Sequence, residues 1–195
     1  RGHDYPLLPG CEVVLAVNAV NHTAGTYGHS QSVDLSQADW AFYRSDFNPE
    51  FSGITPGVKT LSLFWLNWSG ILPPTFSLGS SGPGLVVYRM EGEAEEYARI
   101  HTKYVPGRPE TSSFMYLTIP REWVLDYVEC VEGQQYVNYK RVPAILDKSA
   151  VYVTGGVWAA LHRKKVREID GRIIYQDTND SAIDFYEDIP SLKSN

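Results

Sequence analysis

The chain carries five histidines, His3, His22, His29, His101 and His162, and histidine is the side chain best suited to moving protons near neutral pH. Gly28-His29-Ser30 invites a catalytic reading, but it lies in a polar stretch with no nucleophile motif beside it, and no G-x-S-x-G occurs. Carboxylate pairs such as Glu95 and Glu96 raise glycoside hydrolysis, which needs two carboxyl groups facing each other across a cleft. Most of the acids fall in runs, and runs of like charge usually form solvated faces. Cys11 and Cys130 are the two cysteines, too few for a disulfide framework; they read as two free buried thiols, with a single bridge as the alternative. Neither C-x-x-C nor H-x-x-x-H is present, so zinc lacks its local ligand spacing. These patterns assign no catalytic residue, no metal ligand and no cofactor, and the expectation is a protein that is not an enzyme.

Aromatic side chains offer a different chemistry. Their rings stack on sugar faces, while amide and phenol groups on loops supply hydrogen bonds at low entropic cost. Tyr27, Trp68, Tyr104 and Tyr136 sit at expected strand ends or beside loops and are the candidate binding residues. Each also reads as a half-buried core aromatic. The basic run "HRKKVR" (162 to 167) is suited to phosphate or sulfated sugar, or is simply a solvated strand end. Net charge is −6, with acidic runs at "EGEAEE" and "DTNDSAIDFYED", and no aromatic–basic groove pattern accompanies the basic run. Nucleic-acid binding is disfavoured on those grounds. Three glycosylation-type triplets, starting at Asn21, Asn67 and Asn179, read as chance in a chain without a visible secretion signal.

The elements that would position these groups read as strands. Aromatics make up 13% of 195 residues, with thirteen tyrosines, a composition suited to pleated surfaces. β-prone runs occur at 12–20, 39–44, 59–74, 85–90, near 97–104, and at 112–120, 135–142 and 150–162. Gly155-Gly156 suggests a bulge in the last of these. "PREWVLDYVECVEG" is the best helix candidate: Pro120 suits a helix start, and Trp123, Tyr127 and Val131 recur at helical spacing, although a strand fits as well. Asp170-Gly171 between two β-prone runs predicts a hairpin over about 157–177 with a type I′ turn. About nine or ten strands without βαβ alternation predict an all-β fold, an antiparallel β-sandwich or β-barrel with long loops and at most one short helix. The whole chain, 1–195, is read as one domain, with 178–195 an irregular acidic segment.

"KTLSLFWLNWSGILPP" (59 to 74) alternates but is apolar on both faces. Such a strand belongs at a central position, with core on one side and a loop, helix or second subunit on the other. A homodimer is the expected partner state. No apolar run approaches the roughly 18 residues that span a membrane, so no membrane insertion is expected. The absence of an initiating methionine suggests an excised piece of a longer polypeptide.

The order "VVLAVNAV", "TAGTYGHSQS", Asp39-Trp40 and "GVKTLSLFWLNW" resembles the start of the projection domain of the hepatitis E virus capsid and the spike domains of avian-type astrovirus capsids. The likeness covers about the first third of the chain, and the acidic tail departs from the hepatitis E pattern. It implies a non-enzymatic, homodimeric spike on the virion surface, assembled in the host cytoplasm. Such a spike binds a host-cell receptor, protein or glycan, and carries epitopes for neutralising antibodies. The alternatives are a β-sandwich carbohydrate-binding module, lectin-like or fibre-tip, and a jelly-roll glycoside hydrolase.

Overall fold

The computed structural model describes residues 5–24, 31–43, 57–62, 84–104 and 115–192. Strands β1 (Leu15–Ala16), β2 (Trp40–Tyr43) and β3 (Lys59–Ser62) form a sheet in that order, with both ladders parallel. Its core face is small: Ala16 and Ala41 are paired in register and pack with Ala19 and Ala38 beneath Val14, Leu35 and Val58. Alanine lets a short sheet sit close to the chain below it. Asp39 holds the sheet's entry by accepting the Val14 N–H at 2.9 Å.

A second sheet has the order β4 (Gly84–Tyr88), β7 (Val124–Val131), β8 (Val151–Tyr152), antiparallel between β4 and β7 and parallel between β7 and β8. β5 (Thr102–Tyr104) pairs with β6 (Met115–Leu117), β9 (Ala160–Arg163) with β12 (Phe185–Asp188), and β10 (Lys165–Ile169) with β11 (Arg172–Tyr175), all antiparallel. Helix α1 (Ala94–Ile100), the single turn α2 (Ser181–Asp184) and short 3-10 elements accompany these strands. The fold is all-β, as the composition predicts. Among the described residues there is no closed barrel, and two sheets contain parallel ladders where antiparallel pairing was expected. No helix among them is long and apolar enough to cross a membrane.

Several local expectations change. The best helix candidate is a 3-10 turn, Arg121–Trp123, followed by strand β7. Residues four apart share a face in a strand as they do in a helix, so the 123, 127, 131 spacing fits both. The segment near 97–104 expected as a strand is α1 and then β5. Gly92 at φ +88° turns the chain, Glu95 and Glu96 lie in the first helical turn and Arg99 in the last, matching the helix dipole. Residues 134–139 form a 3-10 helix and not a strand. Within residues 178–192, expected as irregular, lie α2 and β12. The two-faced apolar stretch after Ser62, on which the homodimer expectation rests, lies outside the described residues.

Candidate functional site

The face of the parallel sheet opposite its alanines opens onto a groove of about 1510 Å³. Register builds that face. Leu15, Trp40 and Lys59 are in-register partners across the three strands, and residues paired in register project to one side. Ala16 and Ala41 follow one position later and point the other way into the core. Tyr5 meets Trp40 edge-on at 4.9 Å between ring centroids. The Lys59 ammonium stands 4.9 Å from the Tyr5 centroid and 5.3 Å from that of Trp40, within cation–π reach of both. Tyr5 remains 51% exposed, so this box is not part of the core.

The remaining lining comes from distant parts of the chain: Cys11 and Glu12, Val87 of β4, Glu93 before α1, and His162 of β9. His162 Nε2 lies 3.0 Å from the Ile189 carbonyl oxygen, which fixes the ring against the C-terminal segment. Glu12 accepts a hydrogen bond from the Tyr175 hydroxyl at 3.1 Å. The groove therefore combines flat rings, a cation, two carboxylates and an exposed thiol, a surface for holding a ligand with alternating apolar faces and polar edges.

A second cavity, about 600 Å³, lies between β4, β7 and the 141–146 turn and is walled mainly by Leu85, Leu117, Ile119, Val142 and Leu146. Close to its wall is a buried charge cluster. Lys140 Nζ sits 2.9 Å from Glu129 Oε2 and 3.3 Å from Asp147 Oδ2, and both carboxylates are fully buried. Every partner in this cluster is committed internally, which marks a fold-holding element rather than a ligand site. No group of three or more His, Cys, Asp or Glu able to hold a metal occurs among the described residues.

Of the four residues singled out in the sequence, two fall within described segments. Tyr27 and Trp68 lie outside the described residues. Tyr104 ends β5, whose partner strand is β6. Tyr136 is half-buried in the 134–139 helix and lines neither cavity. The box is not legible in the sequence because Trp40 and Lys59 meet only through a parallel register and Tyr5 joins them only through its edge-on contact with Trp40. Cys11 and Cys130 are both free, the first exposed and the second buried. The basic run splits between β9 and β10: Arg163 grips Asp126 through two hydrogen bonds of 2.6 and 2.9 Å and lies over the Phe185 ring.

A family model described as "Protein of unknown function (DUF4876)" matches residues 8–191. No curated protein matches. Among solved structures, the chain is similar to that of a DUF4876 family protein from Bacteroides thetaiotaomicron VPI-5482, with 24% identity and a TM-score of 0.72. That likeness covers 100% of this chain and 53% of the other, so the chain spans about half the length of that relative, and the likeness shows the fold alone. The expectation of a viral capsid spike on the virion surface, assembled in a host cytoplasm, is corrected by these two matches, which point to a bacterial protein family. The short motifs behind it, "VVLAVNAV" and Asp39-Trp40, belong to β1 and β2 and their flanks.

Proposed function

The chain belongs to the DUF4876 family, and from the groove itself we propose that it is a non-catalytic binding module whose ligand is a carbohydrate chain. The observation that carries this reading is the Tyr5–Trp40–Lys59 box on the open face of the parallel sheet. Sugar rings present apolar C–H faces and polar edges. An aromatic wall takes the faces, and Lys59 and Glu12 supply a donor and an acceptor for hydroxyl groups. A volume of about 1510 Å³ exceeds the roughly 300–1,000 Å³ of ordinary small-ligand pockets and suits several linked rings.

Retention by a panel of soluble polysaccharides in affinity gels, followed by titration calorimetry, tests this. The native protein is expected to bind at least one chain saturably without shortening it. Trp40→Ala and Tyr5→Ala are expected to weaken binding by about tenfold or more while keeping the circular dichroism of the native fold. Full affinity in both variants, or no retention of the folded protein by any chain, rejects the reading. Shortened chains in the product would favour a glycoside hydrolase instead, with Glu12 and Glu93 as the carboxylates to replace first.

A further inference from the structure

We infer that the carbohydrate bound in the groove is anionic, a chain bearing uronate or sulfate groups, and that Arg172 and Arg167 on the β10–β11 hairpin hold its acid groups at the groove's rim. This rests on the carbohydrate reading and narrows it. The hairpin is anchored to the groove wall at two points. Tyr175 donates its hydroxyl hydrogen to Glu12, a lining residue. Gly10 takes φ +82°, and a Cβ there would lie 3.7 Å from Arg172 Cγ, so the methylene stem of Arg172 packs on the turn that presents Cys11 and Glu12.

Register then sorts the charges. Arg167 pairs with Ile174 and Ile169 with Arg172, so one face of the hairpin holds two arginines and two isoleucines. Arg167 and Arg172 are diagonal neighbours, roughly 7–8 Å apart along the ladder. On the other face Lys165 is neutralised by Glu168 at 2.8 Å, with a bulge between Lys165 and Arg167 making that contact possible. Arg167, Arg172 and Lys59 have no carboxylate within ion-pair distance among the described residues. β10 is exposed along its whole length, and Ile169 is 45% exposed beside the two guanidinium groups.

Lys59 shares the groove with Glu12 and Glu93, so in a chain of net charge −6 the local concentration of cations without a carboxylate partner among the described residues lies at the rim, on Arg167 and Arg172. A guanidinium engages carboxylate or sulfate through two parallel N–H donors, which a neutral hydroxyl cannot match. The spacing of two such forks suits acid groups repeated along a stiff polymer.

Polygalacturonate, heparin, a neutral β-glucan and single-stranded DNA would be titrated into the native protein, the Arg167→Gln/Arg172→Gln double variant and Trp40→Ala. The native protein is expected to bind one of the two acidic polysaccharides in preference to the β-glucan. Heparin carries uronate carboxylates as well as sulfates, so binding of polygalacturonate shows that carboxylates suffice, and binding of heparin alone shows that sulfate is required. The double arginine variant is expected to lose about tenfold or more in that affinity at an unchanged melting temperature, and raised salt is expected to weaken the native protein's binding. Equal binding of the β-glucan, unaffected by the arginine changes, overturns the inference while the carbohydrate reading stands. Binding of DNA that depends on the arginines but not on Trp40 overturns it in favour of unspecific charge attraction. Failure of the folded protein to bind any chain removes both.

Discussion

Lys140 sits between Glu129 and Asp147, and its replacement exposes what holds the middle of the molecule together. Glu129 also accepts the backbone N–H groups of Arg141 and Val142, and Asp147 accepts both the N–H and the hydroxyl of Ser181 at 2.8 Å. The cluster ties β7, the 140–147 loop and α2 to one another. Lys140→Met would leave two buried carboxylates without a counter-charge, and breaking such a pair costs about 3–5 kcal/mol. Urea unfolding is expected to show a loss of that order; a loss under about 1 kcal/mol would mean that water reaches the cluster. Asp184 makes a complementary case. Burial pushes its carboxyl upward, but hydrogen bonds from the Thr178 N–H and hydroxyl, the Asp180 N–H and Gln176 outweigh this and hold it below the ordinary 3.8. A carboxyl lowered in the folded state contributes stability that is complete above its unfolded value and is lost as pH falls through its folded one. Asp184→Asn is therefore expected to be destabilised at neutral pH, and the gap from the native protein is expected to close as pH drops below about 4. A gap that stays constant on acidification would show that the carboxylate charge is not what Thr178 and Gln176 read.

At the scale of elements, sequence and structure agree most closely at the turn of the β10–β11 hairpin, although its arms span 165–175 and the expected extension back to 157 is taken by a 3-10 turn and by β9, which pairs with β12. Asp170 at φ +50° and Gly171 at φ +76° are the two left-handed residues that a type I′ turn demands. Nothing lies within 4 Å of a Cβ added at Gly171, so a substitution there is felt only through the backbone. Gly171→Ala is expected to cost about 1–2 kcal/mol and Gly171→Asn less, because asparagine tolerates the left-handed region. At roughly 2–4 °C per kcal/mol for a chain of this size, calorimetry would resolve the two. An alanine variant as stable as the native protein would mean that the turn rearranges at no cost. The hairpin was legible because two adjacent residues determine it. The parallel sheet was not, because β1, β2 and β3 meet across gaps in sequence that no local pattern encodes. β7 was misread for a related reason: Glu129, Cys130 and Val131 are all buried where β8 joins it, so the end of the strand is covered on both sides and loses its alternation. The Trp40 box shares that blindness. Trp40 looks like one more strand aromatic until Leu15 and Lys59 are placed beside it, whereas the basic run around 162–167 was visible and only its division into paired and unpaired cations required the fold.

The whole molecule is needed to make the groove, since its lining runs from Tyr5 through Trp40, Lys59 and Glu93 to His162 and Leu192. A ligand there touches segments that separate on unfolding, so it must stabilise the fold as well as cover the groove. The two free thiols report these effects independently. Cys11 lines the groove and is exposed. Cys130 is buried, and burial together with the charge of neighbouring Glu129 raises its thiol above the ordinary range, which lowers its thiolate fraction further. An aromatic disulfide reagent is therefore expected to titrate one thiol quickly in the native protein and the second only after opening. A polysaccharide that occupies the groove should slow Cys11 directly, by steric cover. It should slow Cys130 only through stabilisation, by about 2.7 kcal/mol at a ligand concentration one hundred times the Kd. Slowing of both, with Cys11 protected even in mild denaturant where Cys130 is not, is the signature of a ligand lying across the Trp40 face. Slowing of Cys130 alone would place the ligand elsewhere on the molecule, and the assignment of the groove would fail with it.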